Sequence, residues 1–142
     1  MKTATGLDTT LVGMATITSE SHCPCLSGET YGSCCEPLHR GEATAPTATR
    51  LMRSRYSAFA VGDVDYLLRS WHPATRPASL ELDASVRWFR LDILASTGGG
   101  LLDRAGTVEF EAHYRAGSEA ATQHENSRFE RVAGDWAYLD AV

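Results

Sequence analysis

Four cysteines fall within thirteen residues, as Cys23-Pro24-Cys25, eight residues, then Cys34-Cys35, and the chain has no others. Zinc binds thiolates tetrahedrally, and a closed structural site takes four protein ligands. Two pairs bracketing a turn-forming SGETYGS segment can wrap one ion. Pro24 stiffens the first pair, while Gly28 and Gly32 give the turn its backbone freedom. Neighbouring cysteines are badly placed to bridge each other, and cross-pairing is disfavoured in a reducing compartment. The spacing therefore predicts a structural zinc site on Cys23, Cys25, Cys34 and Cys35. Thiols used directly, for redox chemistry or metal handling, are the competing reading. His22 and His39 flank the cluster and read as exposed or supporting groups rather than replacement ligands.

The elements that must carry these residues change period along the chain. Residues 1–21 are rich in Thr, Ser and Gly and read as a disordered tail, with Met14 a second plausible start. The first thirteen residues are then an extension on which nothing downstream depends. Residues 37–46 hold Pro37, Gly41 and Pro46 and read as a connecting loop. Thr47 can cap a helix over 48–60 that Gly62 ends, with Leu51, Met52, Arg55, Tyr56 and Phe59 at helical spacing. Asp63 caps a second helix, with Val64, Leu67, Leu68 and Trp71 on one face, closed by His72-Pro73. Strands are expected over 86–95, 107–115, 121–132 and 135–140, the last two joined at Ala133-Gly134. In the second of these, Val108, Phe110, Ala112 and Tyr114 alternate with Glu109, Glu111, His113 and Arg115. Helices first, then a run of antiparallel strands, predicts an α+β domain with N-terminal helices on one face of a curved sheet of about four strands.

Length and charge narrow the function classes. At 142 residues the chain is one domain's worth. No stretch approaches the ~20 apolar residues of a membrane helix, and the N-terminus lacks a secretory signal. A cytoplasmic location is expected. The formal charge is −5, split as −3 over 1–36, +3 over 37–76 and −5 over 77–142. That balance argues against a general nucleic-acid binder, though the middle third could hold an anion. The twelve Arg against one Lys read as compositional bias. The Gly98-Gly99-Gly100 triplet opens no helix and reads as a flexible turn, not a phosphate loop. No Ser-His-Asp order or H-E-x-x-H pattern supports a hydrolase.

The segment CPCLSGETYGSCC resembles the SEC-C zinc-binding motif. Together with PLHRGEATAPTATRLMRSRYSAFAVGDVDYLLRSWHP and the ending HENSRFERVAGDWAYLD, residues 22–142 resemble the bacterial YchJ-like family. The resemblance implies an N-terminal zinc knuckle at 22–40, ligated by the four cysteines, and a cone-shaped domain of the nuclear-transport-factor-2-like fold at 41–142. Leu26 stands where Gly is usual and Glu29 where Lys is frequent; neither change removes a ligand.

A cone closed by helices leaves a cavity at its mouth, a default ligand site. Arg55, at i±4 from Leu51 and Phe59, lies on the stripe that should be buried, where a charge needs a partner. Glu109, Glu111 or Glu125 is the expected partner, and anion binding is the alternative. Tyr56, Trp71 and His72 complete the pocket candidates. His72 has the chemistry of a general acid or base, though a helix C-terminus also favours its cation. His113, His124 and Glu125 read as a solvated sheet face. Trp88, Phe129, Trp136 and Tyr138, with Tyr56 and Trp71, read as core or interface rather than a base-stacking surface. These features point to a small zinc-binding adaptor, its knuckle docking an unidentified protein partner and its cone taking a peptide or small ligand. A proton-transfer enzyme of the isomerase or dehydratase kind is the alternative. Cone folds also pair through the open sheet face, which would make a homodimer. Replacing a cysteine by serine is expected to unfold residues 22–40 and leave the cone largely intact.

Overall fold

A computed structural model of the chain describes residues 16–142. Most of the expected tail, including the Met14 start, lies outside the described residues. Residues 18–21, by contrast, belong to the knuckle. The Ser21 carbonyl accepts from Tyr31 N–H, the Ser19 carbonyl from Gly32 N–H, and the Ser19 hydroxyl donates to Glu36 at 2.6 Å.

After the cysteine loop come a 3-10 turn (Tyr31–Ser33) and α1 (Glu36–His39). Part of the expected loop is thus helical. Pro37 sits in the first turn, where its missing N–H costs nothing. α2 (Ala48–Val61) begins at Thr47, whose side chain accepts from Arg50 N–H, and ends at Gly62 in the left-handed conformation, φ 81°. α3 (Val64–Arg69) is capped by Asp63, which accepts from Tyr66 N–H. It stops before Trp71, and Tyr66 and Leu67 form its buried face rather than the longer stripe expected.

The four strands are β1 (Val86–Gly98), β2 (Ala105–Ala116), β3 (Glu119–Val132) and β4 (Asp135–Ala141), an antiparallel meander in chain order. The α+β architecture expected from the sequence is what the chain adopts. The concave face carries Trp88, Leu91 and Ile93 of β1, then Val108, Phe110 and Ala112 of β2. In the β2–β3 register these β2 residues pair with Ser127, Glu125 and Gln123. Two irregularities in β1, at Trp88/Arg90 and Ile93/Ala95, bend the sheet and leave Phe89 and Leu94 outside. The opposite face is polar and laced with pairs, His113 to Asp92 at 2.9 Å and His124 to Glu109 at 2.6 Å.

The glycine triplet is a strut rather than a flexible turn. Gly98 pairs with Gly106, and the Gly99 carbonyl accepts from Ala48 N–H at 2.9 Å, tying the β1–β2 connection to the start of α2. A Cβ on Gly106 would run into the Gly99 backbone, and one on Gly99 would lie 2.8 Å from the Ala48 methyl.

α2 is buried on two sides. Met52, Tyr56 and Phe59 pack toward the sheet, while Ser57 turns its hydroxyl to Cys23 and the Ser54 hydroxyl meets Tyr66 of α3. The four cysteines share one continuous buried cluster with Leu51, Met52 and Val108. The knuckle's core is thus continuous with that of the cone.

Candidate functional site

All four cysteines are free and buried, with 0–9% of their surface exposed. Their sulfurs all lie within 4.8 Å of one another, with Cys25 to Cys34 at 3.7 Å and Cys34 to Cys35 at 3.9 Å. A tetrahedron with bonds of about 2.3 Å to each sulfur has edges of about 3.8 Å. The donor set fits a four-coordinate thiophilic ion. His22 is exposed and His39 points elsewhere, so neither joins the cluster.

Local structure brings the pairs together. The Glu29 carbonyl accepts from Cys23 N–H and the Cys23 carbonyl from Leu26 N–H, closing the loop over the first pair. Leu26 is forced to φ 64°, the left-handed region that favours glycine. α2 then grips the loop. Arg50 donates to the Cys34 carbonyl at 2.5 Å and to the Cys35 sulfur at 3.5 Å; Arg53 donates to the Cys25 carbonyl at 2.7 Å. Hydrogen bonds within the cluster pull the Cys25 thiol down, chiefly from Cys23, and push the Cys35 thiol up.

His39 is a clamp rather than a ligand. It lies between the Tyr31 hydroxyl, 2.6 Å from Nδ1, and the Ser54 carbonyl, to which Nε2 donates at 2.9 Å. Burial lowers its pKa, keeping the ring neutral for that geometry.

On the other side of α2 the curved sheet closes a cavity of about 220 Å³. Of the pocket candidates, Arg55, Tyr56 and Trp71 line it. His72 does not: its Nδ1 accepts from Ala74 N–H and its Nε2 faces Glu130 at 3.5 Å. Instead, its backbone N–H donates to the Tyr138 carbonyl at 2.7 Å, holding β4 against the end of α3.

Arg55 is 4% exposed, and no carboxylate lies within ion-pair distance of it among the described residues. The expected pairs with Glu109 and Glu111 fail because these residues face outward. Nη1 instead donates to the Leu67 carbonyl at 2.8 Å and the Ser70 hydroxyl at 2.6 Å. The guanidinium carbon sits 5.1 Å from the centre of the Trp71 ring and 4.7 Å from that of Tyr138. Burial lowers its pKa to about 10, so it stays charged at neutral pH.

Glu125, expected either as the partner of Arg55 or on a solvated sheet face, shares the cavity with Arg55 without forming an ion pair at contact distance. It lies on the concave face opposite Phe110 and lines the cavity. Its carboxylate accepts from Ser127 at 2.5 Å, from the Tyr138 hydroxyl at 3.2 Å and from Gln123 at 3.4 Å. Alternation carried the signal: His124 and Glu125 are neighbours on a strand, so only one of them can face solvent.

Residues 47–141 match the family model described as the YchJ middle NTF2-like domain. A UPF0225 protein of Streptomyces coelicolor is 55% identical over 118 residues, covering 83% of this chain and 92% of that protein. One from Corynebacterium glutamicum is 53% identical over 116 residues, covering 82% and 92%. Two solved structures are similar. The solution structure of a SEC-C motif containing protein from Rhodopseudomonas palustris has a TM-score of 0.74 at 34% identity, covering 84% of this chain and 96% of that one. The crystal structure of a SEC-C motif containing protein from Psychrobacter arcticus has a TM-score of 0.71 at 29% identity, covering 86% and 82%. With a cysteine cluster of metal-ligating geometry packed on an NTF2-like cone, the chain belongs to the YchJ-like family.

Proposed function

We propose that the protein is a small binding module in which one structural zinc ion, held by Cys23, Cys25, Cys34 and Cys35, braces α2 so that the cone cavity keeps its shape for a ligand. The observation that carries this reading is the position of α2. Its knuckle side offers Arg50, Arg53 and Ser57 to the cysteine loop, and its cone side offers Met52, Arg55 and Tyr56 to the cavity. Thiolates with at most 9% exposure suit a closed structural centre better than thiol exchange, which needs an approachable sulfur. Zinc fits the donor set because a four-sulfur tetrahedral site suits a soft-tolerant ion without geometric preference. The described residues hold no helix long and apolar enough to cross a membrane, and a reducing cytoplasm would keep the thiols available.

The enzyme alternative loses His72 but keeps Glu125, whose carboxylate lies in the cavity with Arg55. Three hydrogen bonds already engage that carboxylate, which suits a fixed wall group better than a base that must take and release a proton. Pairing of two copies and docking of a protein on the knuckle stay within the proposal. The polar outer face of the sheet favours neither.

The reading is tested by thermal unfolding with and without a zinc chelator, monitored at the indole resonances of Trp71 and Trp88 in the cavity wall. Removal of zinc is expected to disorder the cavity signals together with those of the knuckle. Cavity signals that persist unchanged while residues 22–40 unfold would refute the bracing role.

A further inference from the structure

The cavity is rich in donors that have nothing to donate to. Arg55 carries five N–H groups. Nη1 engages the Leu67 carbonyl and the Ser70 hydroxyl, while Nε and Nη2 have no partner among the described residues. In the same wall the Trp71 Nε1 is buried without a hydrogen-bond partner among the described residues, and the Tyr56 hydroxyl has only the Arg90 backbone beside it. Buried donors are nearly always satisfied, and each one left bare costs free energy. The free Arg55 nitrogens and the bare Trp71 Nε1 beside one cavity indicate an acceptor that arrives from outside. The guanidinium is also prearranged: Leu67 and Ser70 fix one edge, the Trp71 and Tyr138 rings hold its plane, and the Nε/Nη2 edge is left free. Such an edge matches the two oxygens of a carboxylate in a bidentate pair.

Met52, Phe59, Trp88 and Phe110 make the apolar part of the remaining wall, and Gln123, Glu125 and Ser127 the polar part. An apolar cavity of about 150 Å³ takes benzene. The 220 Å³ available here takes a single ring with a short acidic arm. Glu125 shares the cavity, its carboxylate engaged by Ser127, Tyr138 and, at 3.4 Å, Gln123; zwitterionic phenylalanine tests whether a ligand must also meet it with an ammonium.

We infer that the cone cavity is a binding site for a small monocarboxylate with a compact apolar or aromatic body, its carboxylate held by the free edge of Arg55. This rests on the binding-module reading and adds the ligand's chemical class.

The zinc-loaded full chain is titrated with 3-phenylpropionate, with its neutral amide, and with zwitterionic phenylalanine. The side-chain Nε–H resonance of Arg55 and the indole N–H resonance of Trp71 are followed. The acid is expected to shift both resonances and to bind at least tenfold tighter than the amide. Arg55→Lys should remove most of that preference. The comparison of acid with amide in the unaltered chain stands even if Arg55→Lys fails to fold. Equal binding of acid and amide would overturn the carboxylate assignment while leaving a small-molecule site. Tighter binding of phenylalanine would overturn the monoanion. Resonances unmoved by any of the three would overturn this inference, while the bracing role stands or falls by the chelator experiment.

Discussion

Arg50 is where the knuckle and the cone are most directly coupled, and Arg50→Gln should show it. With zinc bound, four thiolates and one dication leave a net charge of about −2, or about half a charge on each sulfur. The Arg50 Nη1 lies 3.5 Å from the Cys35 sulfur. At an effective dielectric constant of about 20, a full charge facing half a charge at that distance is worth about 2 kcal/mol. A further hydrogen bond, from Nη2 to the Cys34 carbonyl at 2.5 Å, is present with or without metal and contributes about 1 kcal/mol to folding. The first quantity enters the zinc affinity and the second does not. Arg50→Gln should therefore weaken zinc binding about 30-fold at low salt and lower the stability of the metal-free protein by about 1 kcal/mol. Competition against a chromogenic chelator reads the former, and urea unfolding the latter. Arg50→Lys should regain most of the zinc affinity while leaving the Cys34 hydrogen bond incompletely replaced, because lysine restores the charge without the fork. A zinc affinity for Arg50→Gln within threefold of the parent would refute the reasoning.

Four other outcomes follow from the same geometry. Leu26→Gly should stabilise the protein by about 1 kcal/mol in thermal unfolding, because Leu26 sits at φ 64° with a largely exposed side chain. Gly106→Ala should cost about 2 kcal/mol or more in urea unfolding, since the new methyl has only the Gly99 backbone and the Thr97 carbonyl to occupy. Alkylation followed by mass spectrometry should find all four thiols protected until a chelator is added, given their burial. Arg40→Ala should change stability by no more than about 0.5 kcal/mol, because its pair with Glu36 at 3.2 Å is largely exposed on the arginine side.

The legible parts of the chain were those with local causes. The cysteine spacing, the Thr47 cap and the Gly62 stop each act within a few residues of themselves, and β2 alternates without a break. What escaped depends on contacts distant in sequence. Ser57 looks like a surface residue of α2 until Cys23 is laid against it, and Ser54 until Tyr66 of α3 is. The glycine triplet looks loose until Gly106 and Ala48 are seen packed against it. Arg55 was rightly singled out as a charge on a buried stripe, but its partners, a carbonyl and a hydroxyl on the next helix and two aromatic rings, carry no charge pattern to read.

The metal centre is tested most directly by X-ray absorption at the zinc edge on protein purified without added metal. Stoichiometric zinc surrounded by four sulfurs at about 2.3 Å, with no nitrogen or oxygen neighbour, is the predicted result. A metal-free preparation with intact folded structure, or zinc bound through imidazole or water in place of a thiolate, would contradict it.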